Sequence, residues 1–136
     1  MEQPVFSQDL EVRDYECDLE GIVNNAVYQN YLEHGRHKYL LSKGFSFAEL
    51  TAKGLFLIVI RVEIDYKFPL RSGDRFTVNL LKLERVSPVR FCFHQEIVRD
   101  DGKLIVRAKV FGAAMNEKGR PVVPRELDSL LPTDHQ

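Results

Sequence analysis

Between Ala26 and Ser42 the residues Val27, Tyr28, Tyr31, Leu32, Gly35 and Tyr39 recur every three or four positions, with Gln29, Asn30, Glu33, His37 and Lys38 between them. This period is helical and predicts an amphipathic helix of about four to five turns. Asn24-Asn25 provides a favoured N-cap, and Lys43-Gly44 places a cation and a left-handed cap at the other end. A short second helix is expected within Ser46 to Lys53. Beyond Gly54 the pattern changes to strands: Leu55 to Phe68, Arg75 to Val86, Arg90 to Arg99 and Lys103 to Met115, with residues 5 to 14 as a first strand ending near Tyr15. Val62, Ile64, Tyr66 and Phe68 alternate with Glu63, Asp65 and Lys67, which predicts one dry and one wet face. Turn chemistry at Pro69 with Ser72-Gly73-Asp74, at Ser87-Pro88 and at Asp100-Asp101-Gly102 predicts that consecutive strands pair as an antiparallel meander. The tail from Glu117 to Gln136, with Gly119, Pro121, Pro124 and Pro132, reads as a turn, a short edge segment and one helical turn at Arg125 to Leu130. The expected class is α+β, with one long helix packed on a five-stranded antiparallel sheet in a single domain over residues 1–136.

Composition narrows the function. Apolar residues make up 44% and charged residues 29% of 136, which fits a folded soluble domain. Nineteen basic against twenty acidic side chains give a net charge of -1, so nucleic acid is not expected as a partner. The longest apolar run, Leu55 to Ile60, is far below the roughly 20 residues of a membrane span and is expected to be a buried strand. Cys17 and Cys92, with a start that lacks a basic segment and an apolar signal core, point to a reducing cytoplasm.

Chemistry concentrates in Tyr15-Glu16-Cys17-Asp18-Leu19-Glu20-Gly21-Ile22-Val23-Asn24-Asn25-Ala26-Val27-Tyr28. A helix N-terminus offers unpaired N–H groups and a partial positive charge, and the Asn25 amide lies there, seven residues beyond Asp18. A lone Asp before a helix is ordinarily a turn or capping residue. Asn24 and Asn25 can cap the helix and still share a turn with an oxyanion donor. Gly21 suits a backbone conformation or close approach closed to other residues, and equally an ordinary turn. Tyr15 and Tyr28 read as core aromatics, and Glu33 with Arg36 as an i, i+3 ion pair.

Rival sites are weak. Cys17 is flanked by Glu16 and Asp18, which oppose thiolate formation. His34, His37, His94 and His135 have no zinc spacing, and neither a G-x-S-x-G nor a Gly-rich phosphate loop is present, so no metal or cofactor is expected. Arg61, Lys67, Arg71, Arg85, Arg90 and Arg120 read mainly as a solvated charged face.

The segment resembles the N-terminal signature of hotdog-fold acyl-CoA thioesterases of the 4-hydroxybenzoyl-CoA thioesterase type. The resemblance rests on Asp18, Gly21, Val23, Asn25 and Tyr28, on Tyr31-Leu32-Glu33-His34-Gly35-Arg36, and on Tyr66-x-x-Pro69-x-x-x-x-Asp74, in order over about residues 10–125. It tips the reading of Asp18 from turn residue to catalyst. It implies a hotdog fold whose Asp18 sits at the mouth of an acyl-binding tunnel as nucleophile or general base, with the helix N-terminal amide near Asn25 polarising the carbonyl. Gly21, Val23, Asn24 and Tyr28 are the implied substrate contacts, and Glu33 is a reserve catalytic residue. Some branches of the family carry His where Asn25 stands, so a mechanism that needs an imidazole partner is not implied. The expected substrate is an acyl-CoA or acyl-carrier-protein thioester and the expected assembly a homodimer or homotetramer, since one helix over one sheet cannot enclose an acyl chain. A non-catalytic acyl-binding or regulatory module is the alternative, and a hotdog dehydratase would need a His base that this segment lacks.

Overall fold

The computed structural model describes residues 3–131, so the expectations that touch Pro132 and His135 fall outside it. The chain order is β1 (Phe6–Glu11), α1 (Asn25–Ser42), α2 (Phe47–Ala52), β2 (Phe56–Tyr66), β3 (Arg75–Ser87), β4 (Arg90–Arg99) and β5 (Leu104–Met115), with short 3-10 turns at Asp14–Glu16 and Arg125–Leu127. This is the α+β arrangement expected, with every main element in place. The first strand stops at Glu11, earlier than predicted, because the chain turns at Arg13, whose carbonyl accepts from the Glu16 amide at 2.9 Å. The C-terminal helical turn covers only Arg125–Leu127 of the predicted span.

Capping explains the helix bounds. Asn24 holds an extended backbone and its side chain accepts from the Ala26 amide at 2.9 Å, which satisfies one orphan donor. At the other end Gly44 adopts φ +88° and the Phe45 amide returns to the Leu40 carbonyl, closing the helix through the left-handed region that glycine enters without strain. Ser46 caps α2 by accepting from the Glu49 amide.

The five strands run in the order β1-β3-β4-β5-β2, every neighbour antiparallel. The expected meander therefore holds only for β3, β4 and β5. The turn at Ser72-Gly73-Asp74 does not join a hairpin of β2 and β3. It ends a crossing from β2 at one edge of the sheet to β3, next to the other edge. Three strand spacings separate β2 from β3, roughly 15 Å, which the segment 67–74 easily spans. Gly73 donates to the Val12 carbonyl and Val12 to the Asp74 carbonyl, so the turn hands the chain to the end of β1.

That topology makes β2 an edge strand and corrects its expected burial. Leu55 is buried, but Ile58, Val59 and Ile60 are 43%, 48% and 44% exposed, beside a bulge between Val59 and Arg61. Val62 and Ile64 are half-buried as the alternation predicts, whereas Tyr66 and Phe68 stand exposed, because little packs beyond an edge.

α1 lies across the sheet and divides the core in two. Its first half packs Tyr28, Tyr31 and Leu32 on Val23, Leu70, Phe76 and Ile97. The second half packs Tyr39 and Leu40 with Leu50, Leu55, Phe91 and Phe93. Gly35 permits the close approach between the halves, since a Cβ there would meet Val78 Cγ1 at 2.8 Å. No helix among the described residues is long and apolar enough to cross a membrane.

Candidate active site

Residues 16–24 fold into a small hairpin that sets Asp18 beside the start of α1. Cys17 bridges Val23, the Asp18 amide donates to the Ile22 carbonyl at 2.9 Å, and the Asn24 amide donates to the Glu16 carbonyl at 3.1 Å. Asp18 therefore stands two strand positions from the Glu16–Asn24 pair, roughly 7 Å along the hairpin. Gly21 closes the turn at φ +80°, a conformation that answers the question left open by its sequence: the turn itself requires glycine.

The two carboxylate oxygens of Asp18 differ. Oδ1 accepts from the Glu20 amide at 2.9 Å, an Asx turn, so Asp18 does act as a turn residue. Oδ2 has no hydrogen-bond partner among the described residues, and the side chain is exposed in the single chain. The turn thus leaves Oδ2 free.

At the helix N-terminus the Ala26 amide is spent on the Asn24 side chain and the Val27 amide on the Asn24 carbonyl. The Asn25 amide makes no hydrogen bond within the described residues and stays available to an oxyanion. Tyr66 Oη donates to the Asn25 carbonyl at 3.4 Å and its ring packs edge-on against Tyr28, 5.6 Å between centroids, so β2 reaches the same corner.

Of the remaining sequence-selected residues, Val23 and Tyr28 are buried and fix positions from within. The Val23 amide donates to the Leu70 carbonyl, and Tyr28 Oη accepts from the Leu70 amide at 2.9 Å. Burial raises the Tyr28 hydroxyl pKa, so it stays protonated. Tyr15 is not a core aromatic; it is 76% exposed with the Arg13 guanidinium 5.3 Å from its ring centroid.

Glu16, which sequence reasoning left without a role, is the buried strut of the hairpin. Its Oε1 accepts from Tyr31 Oη at 2.7 Å and from the Arg13 amide at 2.8 Å, and its Oε2 meets Arg13 Nη2 at 3.1 Å. Burial, then the hydrogen bond to Glu16, holds the Tyr31 pKa far above its ordinary value.

The expected Glu33–Arg36 ion pair does not form. Glu33 faces His37 at 3.8 Å, while Arg36 turns inward and donates through Nη1 to Gln95 Oε1 at 3.1 Å. Helical phase is the reason, because Arg36 lies four residues from both Leu32 and Leu40 on the buried stripe. Gln95 shares the inward face of β4 with Phe91, Phe93 and Ile97, and its Nε2 donates to the Leu32 carbonyl at 3.0 Å. Both polar residues at apolar phase were visible as such in the sequence.

Two clefts compete as the substrate's place. The larger, about 890 Å³, lies over Arg13, Tyr15, Tyr31, His34 and Ser72-Gly73 and is the more open; neither it nor the smaller slots touch Asp18. Two smaller slots, about 200 and 60 Å³, share Glu33, Arg36, Val59 and Val110 and follow α1 along β2 from Gln29 to Phe47. We favour the smaller pair despite its size, since it is more enclosed, is apolar at its Phe47, Phe91 and Phe93 end, begins a turn from Asn25, and opens where β2 lacks a neighbour. Among the described residues no cluster of His, Cys, Asp or Glu is arranged to hold a metal ion.

Residues 12–131 match the family model of the thioesterase-like superfamily. The chain belongs to this superfamily. It is 38% identical over 123 residues to an acyl-acyl carrier protein thioesterase of Arabidopsis thaliana described as chloroplastic, covering 89% of this chain and 64% of that protein. A second Arabidopsis thaliana protein of the same description is 40% identical over 123 residues, covering 89% of this chain and 65% of the relative. The chain thus spans just under two thirds of the length of these relatives. In fold it matches a hypothetical protein of Aquifex aeolicus with a TM-score of 0.86 at 30% identity, over 93% of this chain and 99% of that one. A 1,4-dihydroxy-2-naphthoyl-CoA thioesterase of Synechocystis superposes equally well, TM-score 0.86 at 22% identity over 92% and 93% of the two chains. The architecture is the hotdog fold that the signature implied.

Proposed function

We propose that the protein hydrolyses an acyl thioester of coenzyme A or of an acyl carrier protein, without a cofactor, with Asp18 as nucleophile or general base. The observation that supports this reading is a hairpin, bonded through Glu16 to the N-cap Asn24, that leaves Oδ2 of Asp18 free, next to a helix end where the Asn25 amide is unspent. A thioester carbonyl oxygen on that amide would gain a donor and the positive end of the α1 dipole as negative charge develops. Asp18 then has two routes. Attack by its carboxylate on the carbonyl carbon expels the thiolate and leaves a mixed anhydride that water opens. Alternatively, it takes a proton from water as that water attacks the same carbon, and the tetrahedral intermediate collapses with cleavage of the C–S bond, the thiolate leaving and the proton passing to it or to solvent. Gly21 and Asn24 shape the approach to the carbonyl, while Val23 and Tyr28 keep hairpin and helix in register. The names carried by the Arabidopsis relatives support thioester chemistry.

The acyl chain is assigned to the groove between α1 and β2. In one protomer this groove is open along Ile58, Val59 and Ile60, an apolar edge strand of the kind that a second copy covers. A homodimer or dimer of dimers is the matching assembly, and a fully active monomer by light scattering at micromolar concentration would exclude it. Function is tested by following thiol release from short, long and aromatic acyl-CoA and acyl-carrier-protein esters. Turnover on at least one class is expected. A null across all would favour a non-catalytic acyl-binding module, for which the Asx turn of Asp18 already suffices.

A further inference from the structure

Arg36 puts a cation where the phase of α1 calls for an apolar side chain. The residue is 8% exposed, its centre lies 5.8 Å from the Phe93 ring centroid, and its one side-chain hydrogen bond goes to Gln95. No carboxylate of the described residues pairs with it. Burial lowers its pKa to about 10, more than nearby Glu33 restores, and leaves it charged at neutral pH. A guanidinium has five N–H donors and Gln95 takes one. Among the described residues no fully enclosed side-chain nitrogen lacks a partner, so the guanidinium nitrogens without a hydrogen bond keep some accessible surface. Arg36 lines both slots of the α1–β2 groove, whose other walls include Val59 and Val110. Glu33 also borders the groove, but its side chain is 55% exposed and directed to His37.

A buried, underused donor fork in an apolar groove is a polar determinant of the kind that fixes ligand choice. We infer that Arg36 is a specificity residue, selecting acyl chains that carry an oxygen acceptor, carboxylate or hydroxyl, remote from the thioester. This rests on the groove holding the acyl chain. Eleven residues separate Asn25 from Arg36, roughly 16 Å along the helix, and a side chain leaning back one turn brings its head to roughly 11 Å from the oxyanion site. An extended ten-carbon chain ends near that distance.

The test compares decanoyl-CoA with its terminally carboxylated and terminally hydroxylated counterparts, by kcat/KM for hydrolysis and by Kd for the corresponding CoA thioethers, which cannot be hydrolysed. At least one oxygenated chain should be preferred about tenfold or more, as expected for a hydrogen bond to a charged group. The preference should fall to near one in Arg36→Met. A double variant, Arg36→Met with Gln95→Leu, removes both partners so that neither is left unsatisfied, and should show the same loss. Equal kcat/KM and Kd for all three chains, no binding of any thioether, or a preference that survives in both variants, would overturn the inference. Thioether discrimination lost in the variants, with no thioester hydrolysed, would retain it and refute the hydrolase reading alone.

Discussion

Replacing Asp18 by Asn separates a turn residue from a catalyst, because the two oxygens of this carboxylate have different surroundings. Its amide bond to the Ile22 carbonyl and its carbonyl bond from the Gly21 amide belong to the backbone and survive any side-chain change. The Asx turn needs only the acceptor Oδ1, which Asn supplies at the same place. The stability of Asp18→Asn should therefore stay within about 0.5 kcal/mol of wild type, as for an exposed site whose contacts are kept. Asp18→Ala, which loses the acceptor, should cost about 1 kcal/mol. Turnover should behave differently, since Asn removes the charge and the basic lone pair at Oδ2. A loss of at least about a hundredfold is expected, or about 2.7 kcal/mol in activation free energy. Urea unfolding gives the first quantity, and thiol release from a confirmed acyl-CoA substrate with a chromogenic disulfide gives the second. If Asp18→Asn kept turnover within severalfold of wild type while Asp18→Ala lost stability, the carboxylate would be structural only. Glu33 would then be the next residue to replace.

Tyr31→Phe removes the 2.7 Å bond to buried Glu16 and should cost about 1.5–3 kcal/mol in urea unfolding; a loss below about 0.5 kcal/mol would show that Arg13 alone satisfies that carboxylate. Gly112→Ala would set a Cβ 2.4 Å from Phe91 Cε1 in a buried cross-strand pair, so overpacking of about 1–3 kcal/mol is expected, and an unchanged Tm would mean that the ring moves freely aside. Burial lowers the His37 pKa more than Glu33 raises it, so its folded midpoint lies below 6.5. The folded state then binds fewer protons, and the His37 contribution is complete above 6.5 and lost as pH falls through the folded midpoint. An NMR titration of His37 with a midpoint above 6.5 would contradict this.

Local signals carried much of this architecture. The period of α1, the Asn24 cap, Gly44 and the tip at Asp100 to Gly102 are all decided within a few residues, and so they were legible. Strand order was not, because the turn at Ser72-Gly73-Asp74 looks like a hairpin turn whether the chain returns beside β2 or crosses to β1. Once β2 became an edge, the apolar run at Ile58 to Ile60 lost its burial, a tertiary outcome that hydrophobicity alone does not fix. The loop of Asp18 and the helix start at Asn25 were legible through their motif and spacing, while the chemistry assigned to them remains a proposal. Arg36 was misread because the i, i+3 rule for Glu33 was applied without asking which face of the helix it occupied. Glu16 was overlooked because its partner, Tyr31, lies on a different element.

The crossing segment 67–74 touches the candidate site from below. Leu70, fully buried, gives its amide to Tyr28 and its carbonyl to Val23, and Arg71 bridges Ile22. Hairpin, helix end and crossing are thereby fastened to one another, so opening any one breaks bonds held by the others. The consequence is cooperative: amides of Val23 and Leu70 should exchange with solvent as one unit, far more slowly than the exposed tip at Leu19 and Glu20. Any ligand bound at this corner would meet a surface whose ordering entropy was spent during folding, which leaves more of the binding free energy for holding the ligand itself.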